Sequence, residues 1–241
     1  MAAQPVQVQV VAVKLLNKKN ALILFAKAPI RGTVKTRLQP ELTLDEALLL
    51  YKGMVEDLVS YLKDSDFDLK LFFWPPDSEK MFREWLGVYL DYEPQQGKDL
   101  GEKMHFAFQH IFKCNYNKVI IIGSDLPTLK KSIILAAFAE LESSDLVLGP
   151  SPDGGYYLIG LQKARPELFE NIVWSTNLVL KKTMDIARAN NLKVKLLQTI
   201  QDIDTFNDVK KLNRFIKNHK KEYQHLEKTN FALKQILSDK K

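Results

Sequence analysis

The chain has 241 residues, of which 46% are apolar and 27% charged, and it contains a single cysteine. No uninterrupted apolar run approaches the roughly 18–20 residues of a membrane span, and one cysteine excludes an internal disulfide and a cysteine-based zinc site. Residues 1–13 lack the pattern of a secretory leader, so we expect a cytoplasmic protein.

The positive charge is concentrated at the carboxyl end of the chain. Residues 210–241 hold ten Lys/Arg and three acidic residues, a net charge of +7, whereas the whole chain carries +6. Apolar residues in this tail recur at near-helical spacing, which favours helices packed on the body or on a partner subunit in a homo-oligomer. The tail lacks aromatic-basic interleaving and any known reader motif, so we expect no nucleic-acid binding.

Apolar strands alternate with amphipathic helices along the chain. The predicted strands are 21–27, 69–74, 88–92, 118–122, 145–149, 155–161 and 193–198. The predicted helices are 43–62, 77–86, 100–112, 132–141, 175–190 and 205–218. This alternation is typical of an α/β fold with a mostly parallel sheet and helices on both faces. We predict an appendage (1–19), a single α/β domain (20–218) and a basic helical tail (219–241).

The motif Gly123-Ser124-Asp125-Leu126-Pro127 follows the predicted strand 118–122 directly. The carboxyl end of a parallel strand borders the crevice in which open α/β sheets bind ligands. Asp125 is therefore a candidate ligand for a hard divalent cation that carries phosphate oxygens. The alternative is a polar turn in which Asp125 caps a helix.

The loop after the first predicted strand is rich in cations. It contains Lys27, Arg31, Lys35 and Arg37, with Gly32 and two threonines between them. Lysine offers a point charge to phosphate, arginine offers a bidentate fork, and backbone amides complete an anion site. The loop lacks the spacing and the Gly-Lys-Ser/Thr end of a Walker P-loop. The alternative is a solvated basic loop.

Three further segments combine glycine with polar residues. Residues 95–102 suit a loop that contacts a base or ribose, or else a turn in which Asp99 caps a helix. Residues 149–157 contain adjacent glycines, which indicate a turn and also suit close approach to a polar ring. In the segment 202–205, Asp204 either caps the last body helix or gives a second carboxylate to the cation at Asp125.

From about residue 21 to 209 the chain resembles a bacterial family of candidate nucleotide-diphospho-sugar transferases with a GT-A type fold. Relatives of this family include sugar, molybdopterin and phospholactate nucleotidylyltransferases. Four motifs carry the resemblance in order: Phe-Ala-Lys-Ala-Pro…Gly-Thr-Val-Lys-Thr-Arg-Leu, Gln-Gly-Lys-Asp-Leu-Gly, Ile-Gly-Ser-Asp-Leu-Pro and Gly-Pro-Ser-Pro-Asp-Gly-Gly-Tyr-Tyr-Leu-Ile-Gly-Leu. Trp174-Ser175-Thr176 and Asp202-Ile203-Asp204-Thr205 extend it. Pro152 departs from the family pattern, which often has an acid there.

The resemblance implies a seven- or eight-stranded mixed sheet, whose antiparallel strand we assign to 156–161. It implies Mg²⁺ or Mn²⁺ at Asp125 and Asp204, with Lys35 and Asp125 as catalytic residues. The implied nucleotide-binding residues are Ala26, Lys27, Gly32, Arg37, Gln96, Gly97, Asp99, Gly101 and Ser124. The implied acceptor-binding residues are Asp153, Gly154, Gly155, Tyr156, Trp174, Ser175 and Thr176.

The expected chemistry is positioning combined with charge neutralisation, in which the metal ion and Lys35 stabilise the negative charge of the leaving group. We place first a glycosyl transfer from an NDP-sugar donor to a small-molecule acceptor. The alternative enzyme is a nucleotidylyltransferase that joins an NTP to a phosphorylated acceptor and releases pyrophosphate. A non-catalytic nucleotide-binding module that acts through its basic tail is the alternative outside enzymes.

Overall fold

A seven-stranded sheet forms the centre of the protein in a computed structural model that describes residues 20–238. Its strands are β1 (Asn20–Lys27), β2 (Asp68–Trp74), β3 (Asp91–Pro94), β4 (Lys118–Gly123), β5 (Leu146–Pro150), β6 (Tyr156–Leu161) and β7 (Val194–Leu196). Their order is β3-β2-β1-β4-β6-β5-β7. Only β6, among these strands, runs antiparallel to its neighbours, β4 and β5. The predicted mostly parallel sheet and its antiparallel strand are thus confirmed.

Helices cover both faces of this sheet. They are α1 (Leu44–Leu62), α2 (Glu79–Leu86), α3 (Leu100–Lys113), α4 (Lys131–Glu140), α5 (Val179–Ala189), α6 (Phe206–Asn218) and α7 (Glu227–Ser238). Leu22 and Leu24 of β1 face α1, α2 and α4, whereas Ala21 and Ile23 face α3 and α5. Because both faces of β1 are buried, the strand is a continuous apolar run rather than an alternating one.

The amino-terminal end of α1 is capped by two side chains, those of Thr43 and Glu46. Thr43 accepts a hydrogen bond from the Glu46 amide at 3.2 Å, and the Glu46 carboxylate accepts one from the Thr43 amide at 2.6 Å. These two bonds form a capping box, which pairs amides that the first helical turn leaves without partners.

Two elements begin three or more residues later than predicted, for local reasons. The strand β3 begins at Asp91 rather than at residue 88, because Val88 and Tyr89 are exposed after the turn at Gly87 (φ 90°). Helix α5 begins at Val179 rather than at residue 175. Ser175 has a φ of 63°, a left-handed backbone conformation that a right-handed helix does not contain.

The last helix of the body, α6, and the helix of the basic tail, α7, pack on their own chain. Helices α6 and α7 cover the face of α1 that points away from the sheet, where they bury a third apolar cluster. Its main members are Leu50, Met54, Val209, Leu212, Ile216, Tyr223, Leu226, Leu233 and Ile236. The predicted homo-oligomer through this tail stays a prediction. The predicted appendage, 1–19, and the last three residues of the tail lie outside the described residues.

A buried aspartate fixes the start of α7 on α1. Asp57, which is 4% exposed, accepts hydrogen bonds from the backbone amides of Lys228 (3.2 Å) and Thr229 (2.7 Å). A Cβ atom at Gly53 would lie 2.9 Å from the Lys228 carbonyl, so only glycine allows this approach. Among the helices of residues 20–238, none is both long and apolar enough to cross a membrane.

We expect Asp57→Ala to lower the free energy of unfolding by about 2 kcal/mol, because it leaves two amides of α7 without an acceptor. Urea denaturation followed by circular dichroism measures this value. Asp66→Ala is the control, since it removes the same charge at an exposed position. Equal losses in the two variants would contradict the capping role.

Candidate functional site

Three segments that are distant in sequence meet at the carboxyl ends of β1 and β4. The first loop follows β1, and Ser124 and Asp125 follow β4, which pairs with β1. The third segment, residues 202–204, precedes α6. It docks through the Ile203 amide, which donates to the Asp125 carbonyl at 3.2 Å. The three segments converge on one side chain, Lys35.

The ammonium group of Lys35 is buried among oxygen atoms. Its side chain is 3% exposed, and Nζ lies 2.7 Å from an Asp125 carboxylate oxygen and 3.7 Å from one of Asp204. Nζ also donates to the Ile203 carbonyl at 2.5 Å. A desolvated ammonium is stable only with such partners. The backbone of Lys35 is left-handed (φ 50°), an uncommon conformation for a lysine, which the surrounding contacts maintain.

The carboxylate of Asp204 is available to cations because another residue caps α6. Thr205 is the cap: its hydroxyl accepts from the Asp208 amide at 3.3 Å, and the Asp208 carboxylate accepts from the Thr205 amide at 2.9 Å. Asp204 instead pairs with Arg37 at 2.7 Å. The alternative in which Asp204 caps the helix is therefore wrong. Asp125 does not cap a helix either, since α4 begins at Lys131.

The pair of Asp125 and Asp204 suits a cation. Both carboxylates already direct oxygen atoms at a single positive charge, the Lys35 ammonium. Within residues 20–238 there is no group of three or more His, Cys, Asp or Glu side chains arranged to hold a metal ion. Mg²⁺ in proteins is often held by one or two carboxylates together with substrate phosphates. Two carboxylates plus a phosphate ligand match that arrangement.

Two more carboxylates surround this pair. Burial, together with the negative charges of Asp204, Asp153 and Asp125, raises the pKa of Asp202 to about 6. Asp202 was not predicted as a site residue, although its spacing of two residues from Asp204 was visible in the sequence. The region therefore holds an excess of negative charge in the absence of a ligand.

Tyr51 of α1 connects the ends of β1 and β4. Its hydroxyl accepts from the Lys27 amide at 2.8 Å and donates to the Lys27 carbonyl at 2.7 Å. Burial raises the pKa of Tyr51, and the nearby charge of Asp125 adds to this effect. The buried Ser124 lies beside the same hydroxyl. Tyr51 was not predicted as a site residue, because its hydroxyl contacts depend on the fold.

The other predicted residues of β1 and its loop lie outside the cluster around Lys35. Gly32 has a φ of 84°, and its carbonyl accepts from the Gln39 side chain at 3.1 Å. Arg31 pairs with Asp45 at 2.7 Å. Ala26 is buried, whereas the side chain of Lys27 at the end of β1 is exposed.

The segment before α3 is organised by packing. Asp99 accepts a hydrogen bond from the Glu102 amide at 2.9 Å, so the capping alternative is confirmed for this residue. Gly97 has a φ of 134° and lies against Glu102. A Cβ at Gly101 would lie 2.3 Å from Nε1 of Trp174, so this glycine makes room for the indole ring. Gln96, just before this turn, is exposed.

The double-glycine turn packs against the start of α5. Gly154 has a φ of 87°, and a Cβ there would lie 2.1 Å from the Asn177 carbonyl. The Gly155 amide donates to the Asp153 carboxylate at 3.0 Å. The hydroxyl of Tyr156 is buried beside Thr183, and burial raises its pKa. This hydroxyl is therefore shielded from a bound acceptor, unlike the carboxylate of Asp153.

Trp174, Ser175 and Thr176 form the turn before α5. Trp174 stacks on Phe169, with ring centres 6.4 Å apart. The Thr176 hydroxyl donates to the Val173 carbonyl at 2.9 Å, which closes the turn. Because Trp174 also lies against Gly101, this turn joins the predicted acceptor residues to the start of α3.

Comparison with known proteins identifies the family. Residues 58–176 match a family described as an uncharacterized protein conserved in bacteria (DUF2064). A protein from Desulfovibrio desulfuricans G20, named as a candidate nucleotide-diphospho-sugar transferase, is 34% identical and superposes with a TM-score of 0.82. The alignment covers 90% of this chain and 97% of that one. The chain belongs to the DUF2064 family.

More distant structures share the fold of the DUF2064 protein. A 4-diphosphocytidyl-2C-methyl-D-erythritol synthase from Anaerococcus prevotii DSM 20548 is 14% identical, with a TM-score of 0.55 over 83% of this chain and 99% of that one. A CMP:2-keto-3-deoxy-manno-octonic acid synthetase, solved with CTP, is 7% identical, with a TM-score of 0.52 over 83% and 99% of the two chains. The family and fold class expected from the motifs are both confirmed.

The raised pKa of Asp202 predicts a pH-dependent stability. In the folded protein this pKa is about 6, above the ordinary value of 3.8. The folded state therefore binds the proton more tightly than the unfolded state does. The free energy of unfolding falls as the pH rises from about 4 to about 6. We expect Asp202→Asn to be more stable than the wild type by about 1–2 kcal/mol near pH 7, and to differ little near pH 4.

Urea denaturation at both pH values, with Asp66→Asn as an exposed control, measures the effect. A difference between the Asp202 variant and the wild type that does not change with pH would contradict the role of this carboxylate.

Proposed function

We propose that this DUF2064 protein is a metal-dependent transferase that moves a sugar from a nucleotide-diphospho-sugar donor to an acceptor. The proposal rests on one observation: the carboxylates of Asp125 and Asp204 both face the buried ammonium of Lys35, which belongs to the basic loop after β1. The name of the relative from Desulfovibrio desulfuricans, at 34% identity, supports the choice of donor.

In this proposal Asp125 and Asp204 hold Mg²⁺ or Mn²⁺, which would supply positive charge to the diphosphate of the donor. Lys35 and Arg37, both already in contact with Asp204, bind the phosphates. The two cations stabilise the negative charge that remains on the nucleoside diphosphate as the bond to the sugar breaks.

The remaining predicted residues surround this centre. On the nucleotide side we assign the first loop, the segment that leads into the first turn of α3, and the backbone of the β1 and β4 ends. These residues are Ala26, Lys27, Gly32, Gln96, Gly97, Asp99, Gly101 and Ser124. On the acceptor side we assign Asp153, Gly154, Gly155, Trp174, Ser175 and Thr176, with Tyr156 acting through packing.

Lys35 has a second role in this proposal. Without a ligand, its ammonium offsets part of the negative charge of Asp125 and Asp204, at distances of 2.7 and 3.7 Å. A divalent cation between these carboxylates would be repelled by the ammonium at such close range. Metal and nucleotide therefore bind together, because the phosphates give Lys35 a new partner.

A second candidate is nucleotidyl transfer, in which an acceptor phosphate attacks an NTP and releases pyrophosphate. The joint contact of Lys35 and Arg37 with Asp204 favours it, because two cations suit the extra charge of a triphosphate. Both distant fold relatives are named as synthases or synthetases of nucleotidyl products, and one was solved with CTP. A nucleotide-binding module without turnover is the third candidate.

A thermal-shift screen of NTPs, NDPs and NDP-sugars with Mg²⁺, Mn²⁺ or EDTA tests the proposal. A ligand at about 100 times its dissociation constant adds roughly 2.7 kcal/mol of stability. We expect one NDP-sugar to stabilise the wild type more than its NDP, in the presence of metal. We expect Asp125→Asn to lose the metal-dependent part, and Asp185→Asn, an exposed control, to keep it.

A preference for an NTP would select nucleotidyl transfer instead. Normal metal-dependent binding but no turnover with any donor would select the non-catalytic module. If no nucleotide shifts the melting temperature with either metal, the proposed donor site is wrong.

The role of Lys35 gives a separate prediction. We expect Lys35→Met to bind Mn²⁺ at least about tenfold more tightly than the wild type in the absence of nucleotide, because a competing charge is removed. We also expect it to bind nucleotide more weakly. Electron paramagnetic resonance of free Mn²⁺ measures the first effect. The control is Arg31→Met, which removes an exposed positive charge. An unchanged Mn²⁺ affinity of Lys35→Met would contradict the proposal that Lys35 competes with the metal for the two carboxylates.

A further inference from the structure

Lys27 and Lys103 form a second pair of cations, besides Lys35 and Arg37. This pair lies at the carboxyl edge of the sheet, on the side of β1 away from β4. Lys27 is the last residue of β1 and Trp74 the last of β2, and the two are partners in the parallel register. Side chains two residues apart share a face of the sheet, so Lys27 and Trp74 project to the face that carries Ile23, Phe72 and α3.

Lys103 of α3 approaches the same place from the helix. Its Nζ lies 3.5 Å from the centre of the Trp74 ring, which is a close cation–π contact. This contact holds the ammonium in position without neutralising it, because the ring carries no net charge. This role could not be predicted from the sequence, because Lys103 is one of several polar residues on a helix and its contact with Trp74 depends on the fold.

The two ammonium groups repel each other. Burial lowers the pKa of Lys103, and the positive charge of Lys27 lowers it further. Asp99 acts in the opposite direction but more weakly, and its carboxylate is engaged as the cap of α3. Neither Lys27 nor Lys103 forms an ion pair with a carboxylate of residues 20–238. The positive end of the α3 dipole adds to the same potential.

This arrangement contrasts with that of the neighbouring cations of the first loop. Arg31, Lys35 and Arg37 each have an aspartate within 2.7 Å. Lys27 and Lys103 instead keep two charges close together with no counter-ion among the described residues. An anion placed between them would remove the repulsion and gain two charge-assisted hydrogen bonds.

We propose that Lys27 and Lys103 together bind a phosphate group of the nucleotide donor. This inference rests on the proposed function for the identity of the ligand. In the sheet order β2-β1-β4, the lysine pair lies at the β1–β2 end and the Lys35–Asp125 centre at the β1–β4 end. The phosphates of one donor would lie across the end of β1, between the two groups of cations. Trp74 is a positioning residue that keeps Lys103 directed at this place.

Calorimetric titration of the full chain in the presence of Mg²⁺ tests the inference, with pyrophosphate and then the NTPs, NDPs and NDP-sugars of the thermal-shift screen as ligands. We expect Lys103→Met to weaken the binding of pyrophosphate and of the preferred nucleotide about tenfold or more. Lys103→Arg should retain most of the affinity, and the parent nucleoside should bind both proteins equally. The matched control is Lys113→Met, an exposed lysine at the other end of the same helix, which should bind as the wild type does.

Lys27→Met, at an exposed position, gives the same test without disturbing a buried contact, and we expect a loss in the same direction. If a nucleotide binds the wild type and both lysine variants equally, the phosphate site is wrong and the proposed function stands. If pyrophosphate binds through Lys103 but no nucleotide or NDP-sugar binds, the anion site stands and the proposed function fails. If pyrophosphate and nucleotides all fail to bind the wild type, both are wrong.

Discussion

The buried ammonium of Lys35 is the interaction on which the rest of the site depends. It joins the loop after β1, the end of β4 and the segment before α6 through Asp125, Asp204 and the Ile203 carbonyl. Removing a charge from water is costly, so each of these oxygens must be held in place by its own segment. The left-handed backbone at Lys35 and the Thr205 cap, which leaves Asp204 available, both serve this requirement.

The helices of the tail support the same centre from a distance. Ile203 belongs to the apolar cluster that α6 and α7 form on the outer face of α1. The inner face of α1 carries Tyr51, whose hydroxyl holds the end of β1. Helix α1 therefore positions two of the three segments that meet at Lys35, and the packing of α7 on α1 through Asp57 contributes to the geometry of the site.

Much of the fold could be predicted from the sequence because its signals are local. The apolar runs of the central strands and the Thr43–Glu46 capping box require no knowledge of distant residues. The antiparallel direction of β6 came from the family resemblance rather than from its residues, since strand direction depends on pairing. The starts of β3 and α5 were not predicted correctly, because the exposure of Val88 and the left-handed turn at Ser175 are properties of the folded chain.

The places of the candidate site residues in the fold could be predicted from the sequence, but their contacts could not. Motifs at strand ends placed Asp125 and Lys35 correctly at one edge of the sheet, because parallel strands bring their carboxyl ends together. The packing of Gly101 against Trp174 was not predicted, because Trp174 lies more than seventy positions away in the sequence. The contact of Lys103 with Trp74 and the raised pKa of Asp202 likewise depend on tertiary neighbours.

The most direct measurement is a crystal structure of the protein with its preferred nucleotide donor and Mn²⁺, with data collected at the manganese absorption edge. We expect an anomalous peak between the Asp125 and Asp204 carboxylates, with Lys35 turned from them to the phosphates. A nucleotide bound elsewhere, or a peak away from both carboxylates while Lys35 stays paired with Asp125, would contradict it.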